Sequence, residues 1–283
     1  MHLFAEFLLG VNTWVAPRCK ALTLPLQPAG RRRLAMRLPG AGSVWGACGL
    51  AAAAACSGVA RAEPVWLGRF DGSLAPWREV RLKADIPPTR FVQEIWDGEP
   101  ALVAQSQGSM SLMARPVTID LQRTPVLCWR WRIDAPLQKA DLRTTAGDDY
   151  AARLYVSLRL PNEDKSLALR AQLGLARAIW GPDIPDAALN YVWDNRNPVG
   201  TEAPNAYTER ARMIVQRTGA ADAGRWVSER RDLARDAARL FGPRAVPVQL
   251  ALTADTDNTG ESARAGFAQI HAVAESEPCR FAP

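Results

Sequence analysis

The sequence of 283 residues predicts an all-β fold, an antiparallel β-sandwich of jelly-roll type with one or two short helices. Apolar and polar residues alternate with a period of two in many short segments, which is the pattern of strands with one buried face. Clusters of Gly, Pro, Asn and Asp separate these segments, as turns separate the strands of a sandwich or barrel. We therefore expect a single sandwich domain to occupy most of the chain.

The first 62 residues predict an N-terminal extension with a signal peptide. Arg31-Arg32-Arg33 precedes a Gly- and Ala-rich apolar stretch at 41–60, and Ala60-Arg61-Ala62 has the small residues of a cleavage site. The apolar stretch only just reaches the roughly 20 residues that a membrane span needs, so we expect cleavage and no stable span. Cleavage after Ala62 would leave residues 63–283 as the domain, either periplasmic or secreted.

Three alternatives concern the start of the chain. Translation could begin at Met36, the arginines before Leu34 match the twin-arginine export signal weakly, and Cys56 could carry a lipid anchor. These alternatives stay open.

Removing the leader changes the charge of the protein. The chain has 35 Lys and Arg and 29 Asp and Glu, and the leader holds seven of the basic residues but only one of the acids. The remaining domain is therefore neutral. Proteins that bind nucleic acid usually show a basic face, so we expect no nucleic-acid partner.

The strands and helices can be placed along the chain in order. Alternation bounded by turn residues predicts strands near 65–71, 89–96, 100–106, 110–114, 125–133, 149–160, 187–194, 211–217, 225–231, 246–254 and 265–273. Two segments depart from this pattern. Leucines at helical spacing predict an amphipathic helix at 164–180, and the segment 232–241 predicts a short helix that Gly242-Pro243 stops.

Alternation also assigns the two faces of four strands. The predicted core sides are Tyr150, Ala152, Leu154, Val156 and Leu158; Leu127, Trp129, Trp131 and Ile133; Leu189, Tyr191 and Trp193; and Val248, Leu250, Leu252 and Ala254. Tryptophan can also form a platform for sugars, but its place on these apolar sides favours core packing.

The opposite sides of the same strands carry polar groups. If the strands are neighbours, these groups form one polar surface that could bind a small polar ligand such as a glycan. The candidate ligand-binding residues are Arg130, Arg132, Asp149, Arg153, Tyr155, Asn190, Asp194 and Asp255. The alternative is a solvated sheet face, whose cross-strand ion pairs contribute about 0.2–1 kcal/mol each.

An acidic run follows the last of these strands. Asp255, Asp257 and Asn258 could hold a structural calcium ion, although Thr259 and Gly266 occupy positions where an EF-hand loop needs other residues. Asp, Asn and Gly are also common turn residues, so a plain turn is the alternative. No other cofactor is expected.

The residues that are missing restrict the chemistry. After the leader the only histidine is His271, which excludes multi-histidine zinc sites and leaves a structural role for this residue as our expectation. The sequence has no Cys-x-x-Cys and no Gly-rich phosphate loop, so cysteine-ligated metals and nucleotides have no support.

Carboxylate chemistry remains. The pairs Asp148/Asp149 and Asp255/Asp257 could act as general acid and base, and a polysaccharide hydrolase or lyase using two of Asp149, Asp194 and Asp255 is the alternative to non-catalytic binding. A structural envelope protein without a small ligand is a third reading. We lean towards a protein that is not an enzyme.

Two cysteines fall in the domain, Cys128 and Cys279. In an oxidising compartment they could form a disulfide. Two free thiols, with Cys128 as a small core residue, are the alternative.

Five motifs resemble a known bacterial family. They are Leu127-Cys128-Trp129-Arg130-Trp131-Arg132-Ile133, Ala140-Asp141-Leu142, Ala146-Gly147-Asp148-Asp149-Tyr150-Ala151-Ala152-Arg153, Ala188-Leu189-Asn190-Tyr191-Val192-Trp193 and Thr253-Ala254-Asp255-Thr256-Asp257-Asn258-Thr259-Gly260. In this order they resemble the uncharacterised family DUF3047, with a departure at 266–270. The resemblance implies an exported bacterial protein and supplies no catalytic residue.

Overall fold

The computed structural model describes residues 62–180 and 184–282, and the predicted signal peptide lies outside this range. The described residues form 13 strands and two helices. The strands are β1 (Val65–Gly68), β2 (Arg78–Val80), β3 (Arg90–Trp96), β4 (Glu99–Gln107), β5 (Leu112–Pro116), β6 (Val126–Ile133), β7 (Tyr150–Arg159), β8 (Ala187–Asp194), β9 (Glu202–Asn205), β10 (Thr208–Thr218), β11 (Val227–Asp232), β12 (Val246–Asp255) and β13 (Ser262–Val273). The helices are α1 (Leu167–Trp180) and α2 (Leu233–Phe241). In this part of the chain, neither helix combines the length and the hydropathy that crossing a membrane requires.

Two sheets pack face to face, which confirms the predicted fold class. The first has the strand order β11-β6-β13-β4-β3, with β1 also paired to β13, and the second has the order β2-β5-β12-β7-β8-β10-β9. The short strands β2 and β9 were not predicted, because three or four residues are too few to show alternation.

One strand pair departs from the antiparallel prediction. β10 runs parallel to β8, while β9 runs antiparallel to β10 at the edge of the sheet. After β8 the chain runs back along the edge of the sheet as β9. It then turns again and forms β10, which lies between β8 and β9. A hairpin inserted in this way makes β10 parallel to β8.

The core between the sheets is rich in aromatic side chains. Trp129 of β6 stacks on Tyr191 of β8 with ring centroids 5.4 Å apart, and Trp131 lies 5.7 Å from Trp193. These side chains are fully buried, so their predicted role in the core is confirmed. Such pairs add about 0.5–1.5 kcal/mol each beyond the burial of their surface.

A β-bulge in β7 changes the faces that alternation predicts. Arg153 pairs with Thr253 and Tyr150 pairs with Asp255, so Ala151 and Ala152 together lie opposite one residue of β12. The extra residue turns Tyr150 to the outer face of the sheet, where it packs with Val192 and Met213. The prediction that Tyr150 belongs to the core side was therefore wrong.

Both helices are held by polar contacts at their ends. Arg177 of α1 donates to the Ile184 carbonyl at 2.9 Å, and Lys165 lies 3.0 Å from Asp186. Asp232 caps α2 by accepting a hydrogen bond from the Arg235 backbone at 2.8 Å.

A disulfide joins Cys128 of β6 to Cys279, which fixes the C-terminal segment 274–282 against the outer face of the first sheet. His271 lies beside this segment and is fully buried. Its Nδ1 lies 2.7 Å from the Gln269 carbonyl oxygen, and its Nε2 accepts a hydrogen bond from the Arg280 backbone at 2.9 Å. Both ring nitrogens are therefore engaged, which supports a structural role.

Candidate functional site

A cleft of about 70 Å³ lies on the outer face of the second sheet. Asp148, Arg153 and Asp255 form its floor, and a polar rim stands above them. One wall, on the side of β2 and β5, is apolar and contains Leu82, Ile86 and Met110, while Ala211 lines the cleft from β10 on the other side. The rim contains Lys83, Asn205, Tyr207, Thr208, Asp257 and Asn258.

Arg153 is the centre of the floor and is only 3% exposed. Its Nη1 donates to Asp255 Oδ2 at 3.0 Å and lies 3.7 Å from Asp148 Oδ1, and its Nε donates to Asn190 Oδ1 at 3.3 Å. The rings of Tyr150 and Tyr155 lie 5.0 and 4.4 Å from the guanidinium carbon. The guanidinium is thus fixed by carboxylates and aromatic rings, as a buried cation requires.

Three neighbouring strands bring these groups together. Arg153 comes from β7, Asn190 from the facing strand β8, and Asp255 from the end of β12. Asp148 precedes β7, and its Oδ2 accepts a hydrogen bond from Asn205 Nδ2 at 2.7 Å. The sheet therefore fixes Arg153 and Asp255, whereas the position of Asp148 depends on the edge strand β9.

The carboxylates of the cleft have raised pKa values. Burial is the largest cause that raises the pKa of Asp255 well above its usual value; Arg153 opposes this effect, and the charges of Asp149 and Asp148 add to it. Burial likewise raises the pKa of Asp148 and that of Asp257. Burial acts to lower the pKa of Arg153, but Tyr155, Asp148 and Asp255 outweigh it and the pKa rises, so the guanidinium stays charged.

One carboxylate oxygen on the floor lacks a donor. Asp255 is 2% exposed, and its Oδ1 has no hydrogen-bond partner among the residues that the structure describes. Asp148 Oδ1 lies 3.7 Å from Arg153 Nη1. An unsatisfied buried acceptor costs about 1–3 kcal/mol, so a donor placed in the cleft would be stabilised at this point.

The turn after β12 forms part of the rim and is held from below by Asp149. This buried carboxylate accepts hydrogen bonds from the backbone of Asn258 at 3.1 Å, from Asn258 Nδ2 at 3.0 Å and from the backbone of Thr259 at 2.6 Å. Tyr207 donates to Asn258 Oδ1 at 2.8 Å. Asp149 therefore positions the rim and does not itself line the cleft.

The structure gathers only part of the predicted site. Arg153, Tyr155 and Asp255 line the cleft, and Asn190 lies beneath it in contact with Arg153. Asp194 instead closes a turn by accepting from the backbones of Arg196 at 2.7 Å and Asn197 at 2.6 Å. Asp194 therefore has a local structural contact and does not reach the cleft.

Arg130 and Arg132 do not share this surface, and the prediction that placed them there was wrong. β6 pairs with β11 and β13 in the first sheet, so its polar side faces away from the second sheet. Arg130 pairs with Glu99, and Arg132 pairs with Asp97 while its guanidinium carbon lies 4.1 Å from the Trp96 ring. Both arginines belong to the opposite outer face of the sandwich.

Two of the three predicted calcium ligands, Asp255 and Asn258, have other contacts. Asp255 faces the Arg153 cation, and the Asn258 amide is used by Asp149 and Tyr207. Among the described His, Cys, Asp and Glu side chains, a group close enough to share an ion occurs only at Cys128, His271 and Cys279, where the two cysteines are bonded to each other. Calcium binding at the turn stays a prediction.

Several residues of the cleft were not among the predicted ligand-binding residues. Asp148 appeared only as a candidate for acid–base chemistry, beside Asp149. Asn205, Tyr207 and the apolar wall come from loops and an edge strand, where alternation gives no signal. Their place in the cleft depends on contacts between distant segments.

Comparison with solved structures shows weak likenesses. The chain is similar to a family 30 carbohydrate-binding module of the cellulosomal cellulase Cel9D-Cel44B of Clostridium thermocellum, at 10% identity over 77% of this chain and 96% of that chain, with a TM-score of 0.32. It is also similar to the xyloglucanase domain of NopAA, a type three effector from Sinorhizobium fredii, at 8% identity over 72% of this chain and 100% of that chain, with a TM-score of 0.33. An exo-β-agarase gives a TM-score of 0.32 at 11% identity, over 76% of this chain and 25% of that chain. At such scores these likenesses carry no argument about the cleft.

Comparison with protein families gives one match, which covers most of the domain. The family model described as "Protein of unknown function (DUF3047)" matches residues 75–271. No curated protein matches the chain.

Proposed function

The chain belongs to the DUF3047 family, whose function is not established, and we propose from the cleft itself that the protein binds a carbohydrate without cleaving it. The observation that carries this proposal is the unsatisfied Asp255 Oδ1 on the buried floor of an open cleft.

The floor supplies hydrogen-bond acceptors that are already in position. Arg153 holds Asp255 at 3.0 Å, and Asn205 holds Asp148 at 2.7 Å, so neither carboxylate needs to reorganise when a ligand arrives. Sugar hydroxyls are donors that suit such fixed oxygens. Preorganisation of this kind lowers the cost of binding.

The wall supplies the apolar half of the recognition. Leu82, Ile86 and Met110 line the cleft on one side, and Tyr207 stands at the rim. A sugar ring presents C–H groups on its faces and hydroxyls around its edge. It can therefore cover an apolar wall while its hydroxyls reach the floor. Small-molecule sites commonly combine an apolar lining with a few polar groups in this way.

The ion pairs of the floor support binding over hydrolysis or elimination. Asp255 and Asp148 both lie against the same guanidinium nitrogen, at 3.0 and 3.7 Å. A glycosidase instead needs one carboxyl group free to protonate the leaving oxygen and a second one to act at the sugar carbon. Asp149 and Asp194, the other candidates for such a pair, are bonded to backbone amides of the chain.

Export from the cytoplasm is part of the proposal. The disulfide between Cys128 and Cys279 supports an oxidising compartment, which agrees with the predicted signal peptide. Fractionation of cells that express the chain, with mass determination of the product, tests this point. We expect a periplasmic or secreted protein that begins at Glu63.

A glycan array followed by calorimetric titration tests the binding. We expect at least one oligosaccharide to bind, and we expect Asp255→Asn to weaken that binding about tenfold or more, since a hydrogen bond to a charged group contributes about 1.5–3 kcal/mol. Asp134→Asn, a half-exposed carboxylate associated with the first sheet, is the matched control and should leave affinity unchanged. The absence of any bound glycan in a protein that folds normally would overturn the proposal.

A further inference from the structure

The charge of the ligand can be inferred from the same cleft, and this step rests on the proposed function. We propose that the cleft selects saccharides that carry a free, cationic amino group over neutral and acidic saccharides.

The first argument is the balance of charges. Three carboxylates line the cleft, those of Asp148, Asp255 and Asp257, against two cations, Arg153 and Lys83. A fourth carboxylate, Asp149, lies directly below the rim. A cationic ligand would relieve the repulsion among these carboxylates, whereas an anionic ligand would add to it.

The second argument is that the buried cation has few donors left for a ligand. Arg153 directs Nη1 to Asp255 and Asp148 and donates through Nε to Asn190, and its Nη2 lies 3.9 Å from the Met213 sulfur. An acidic sugar could bind the guanidinium only by displacing Asp255 or Asp148. That exchange would leave a buried carboxylate without its cation.

The third argument is the match of donors to acceptors. Asp255 Oδ1 accepts no hydrogen bond from any residue of the described chain, and Asp255 lines the cleft. A protonated amine offers three donors and a positive charge, while a hydroxyl offers one donor and no charge. Hydrogen bonds in which a partner is ionised are roughly twice as strong as neutral ones.

The raised pKa values agree with this geometry. Asp148, Asp255 and Asp257 each have a raised pKa, chiefly because of burial and also because other acids of the group lie close by. An ammonium group placed among them would favour their ionised forms and bind them in turn.

The test compares four oligosaccharides of equal length on the full chain by calorimetric titration. They are a β-1,4-glucosamine oligomer, its N-acetylated counterpart, a cello-oligosaccharide and an oligogalacturonate. The first pair differs only in the charge and substitution of the nitrogen. We expect the free amine to bind at least tenfold more tightly than the other three.

Two variants connect that preference to the cleft. Asp255→Asn should reduce the preference for the amine to less than threefold, and Asp257→Asn, at the more exposed rim, serves as a second variant if the first one folds poorly. Asp134→Asn should keep the full preference. Thermal unfolding of each variant checks that the fold is intact.

The outcomes separate this inference from the proposed function. Equal binding of the amine and of its N-acetylated or neutral counterpart would overturn the selectivity and leave carbohydrate binding in place, and tighter binding of the galacturonate would overturn it as well. Binding of spermidine as tight as that of the glucosamine oligomer would overturn recognition of the sugar. If no saccharide binds, the proposed function itself fails.

Discussion

Arg153 donates to one oxygen of Asp255 at 3.0 Å, and the other oxygen of the same carboxylate has no partner among the described residues. The ion pair is therefore only half of the interaction that Asp255 can make. The satisfied oxygen belongs to the fold, and the proposed ligand would satisfy the other oxygen, which is buried on the floor of the cleft. Mutations that remove the Arg153 ion pair should therefore reduce stability, whereas mutations that remove the second oxygen should reduce ligand binding.

Removal of the guanidinium should destabilise the protein strongly. Arg153→Met leaves Asp148 and Asp255 buried without their cation, and breaking a buried pair in this way costs about 3–5 kcal/mol. Urea unfolding near neutral pH measures the loss. Arg235→Met, at a side chain that is 74% exposed, is the control and should cost less than about 1 kcal/mol.

The cost of Arg153→Met should also depend on pH. Acid protonates the two buried carboxylates, and a neutral carboxyl group needs no cation, so the difference between variant and wild type should shrink as the pH falls. A difference that stays constant down to acid pH would show that lost packing, and not lost charge, causes the effect.

Asp149 should control the rim of the cleft. Asp149→Ala removes the acceptor for the backbone N–H groups of Asn258 and Thr259, so we expect faster hydrogen exchange at these two amides and a loss of about 2–4 kcal/mol. Asp194→Ala is a matched control, because it frees the amides of Arg196 and Asn197 instead. Unchanged exchange at Asn258 in the first variant would contradict this assignment.

His271 should make the C-terminal segment sensitive to acid. Burial lowers the pKa of this imidazole, with the nearby cations Arg280 and Arg69 contributing, so the unfolded chain takes up a proton at a higher pH than the folded protein does. Above about pH 6.5 His271 is neutral in both states and does not reduce the free energy of unfolding. As the pH falls from about 6.5 towards the lowered pKa of the folded protein, the free energy of unfolding decreases.

Unfolding of wild type and of His271→Gln between about pH 7.5 and 5 measures this dependence. The slope attributable to His271 should vanish in the variant, since Gln does not titrate. The acids of the cleft, whose pKa values are raised, contribute with the opposite sign and are the same in both proteins. An identical slope in the two proteins would disprove the assignment.

The disulfide should stabilise the fold without affecting the cleft. Replacing both Cys128 and Cys279 by Ser opens a link between residues 151 apart in sequence and should cost about 2–5 kcal/mol. The cleft lies on the other sheet, so affinity for its ligand should stay within twofold of wild type under conditions where the variant is folded. A large loss of affinity in folded protein would show that the two outer faces are coupled.

Alternation predicted the core well because its information is local. Trp129, Trp131 and Trp193 follow the period of two, and all three are buried between the sheets. Alternation assigns a side chain to one face of its own sheet, but it does not say to which sheet a strand belongs. Arg130 and Arg132 were therefore grouped with Arg153, although the pairing of β6 with β11 and β13 places them on the opposite side of the molecule.

The cleft was only partly predictable for a related reason. Arg153 and Asp255 lie on long strands and were identified, whereas Leu82, Asn205 and Tyr207 reach the cleft through loops and a short edge strand. Their positions depend on contacts between distant segments, which one sequence does not reveal. The fixed contacts of Asp149 and Asp194 were hidden for the same reason, since each depends on the backbone of a turn.

The bulge at Ala151 and Ala152 changes which residues of β7 face the core, the even-numbered or the odd-numbered ones. After the bulge the even-numbered residues face the core, and before it Tyr150 faces outwards with Arg153 and Tyr155. Uninterrupted alternation would instead have given this outward place to odd-numbered residues, Asp149 among them. Because of one added alanine, Asp148 faces outwards and lines the cleft, and the adjacent Asp149 faces the other way and holds the rim. A family member without that residue should have the two tasks exchanged.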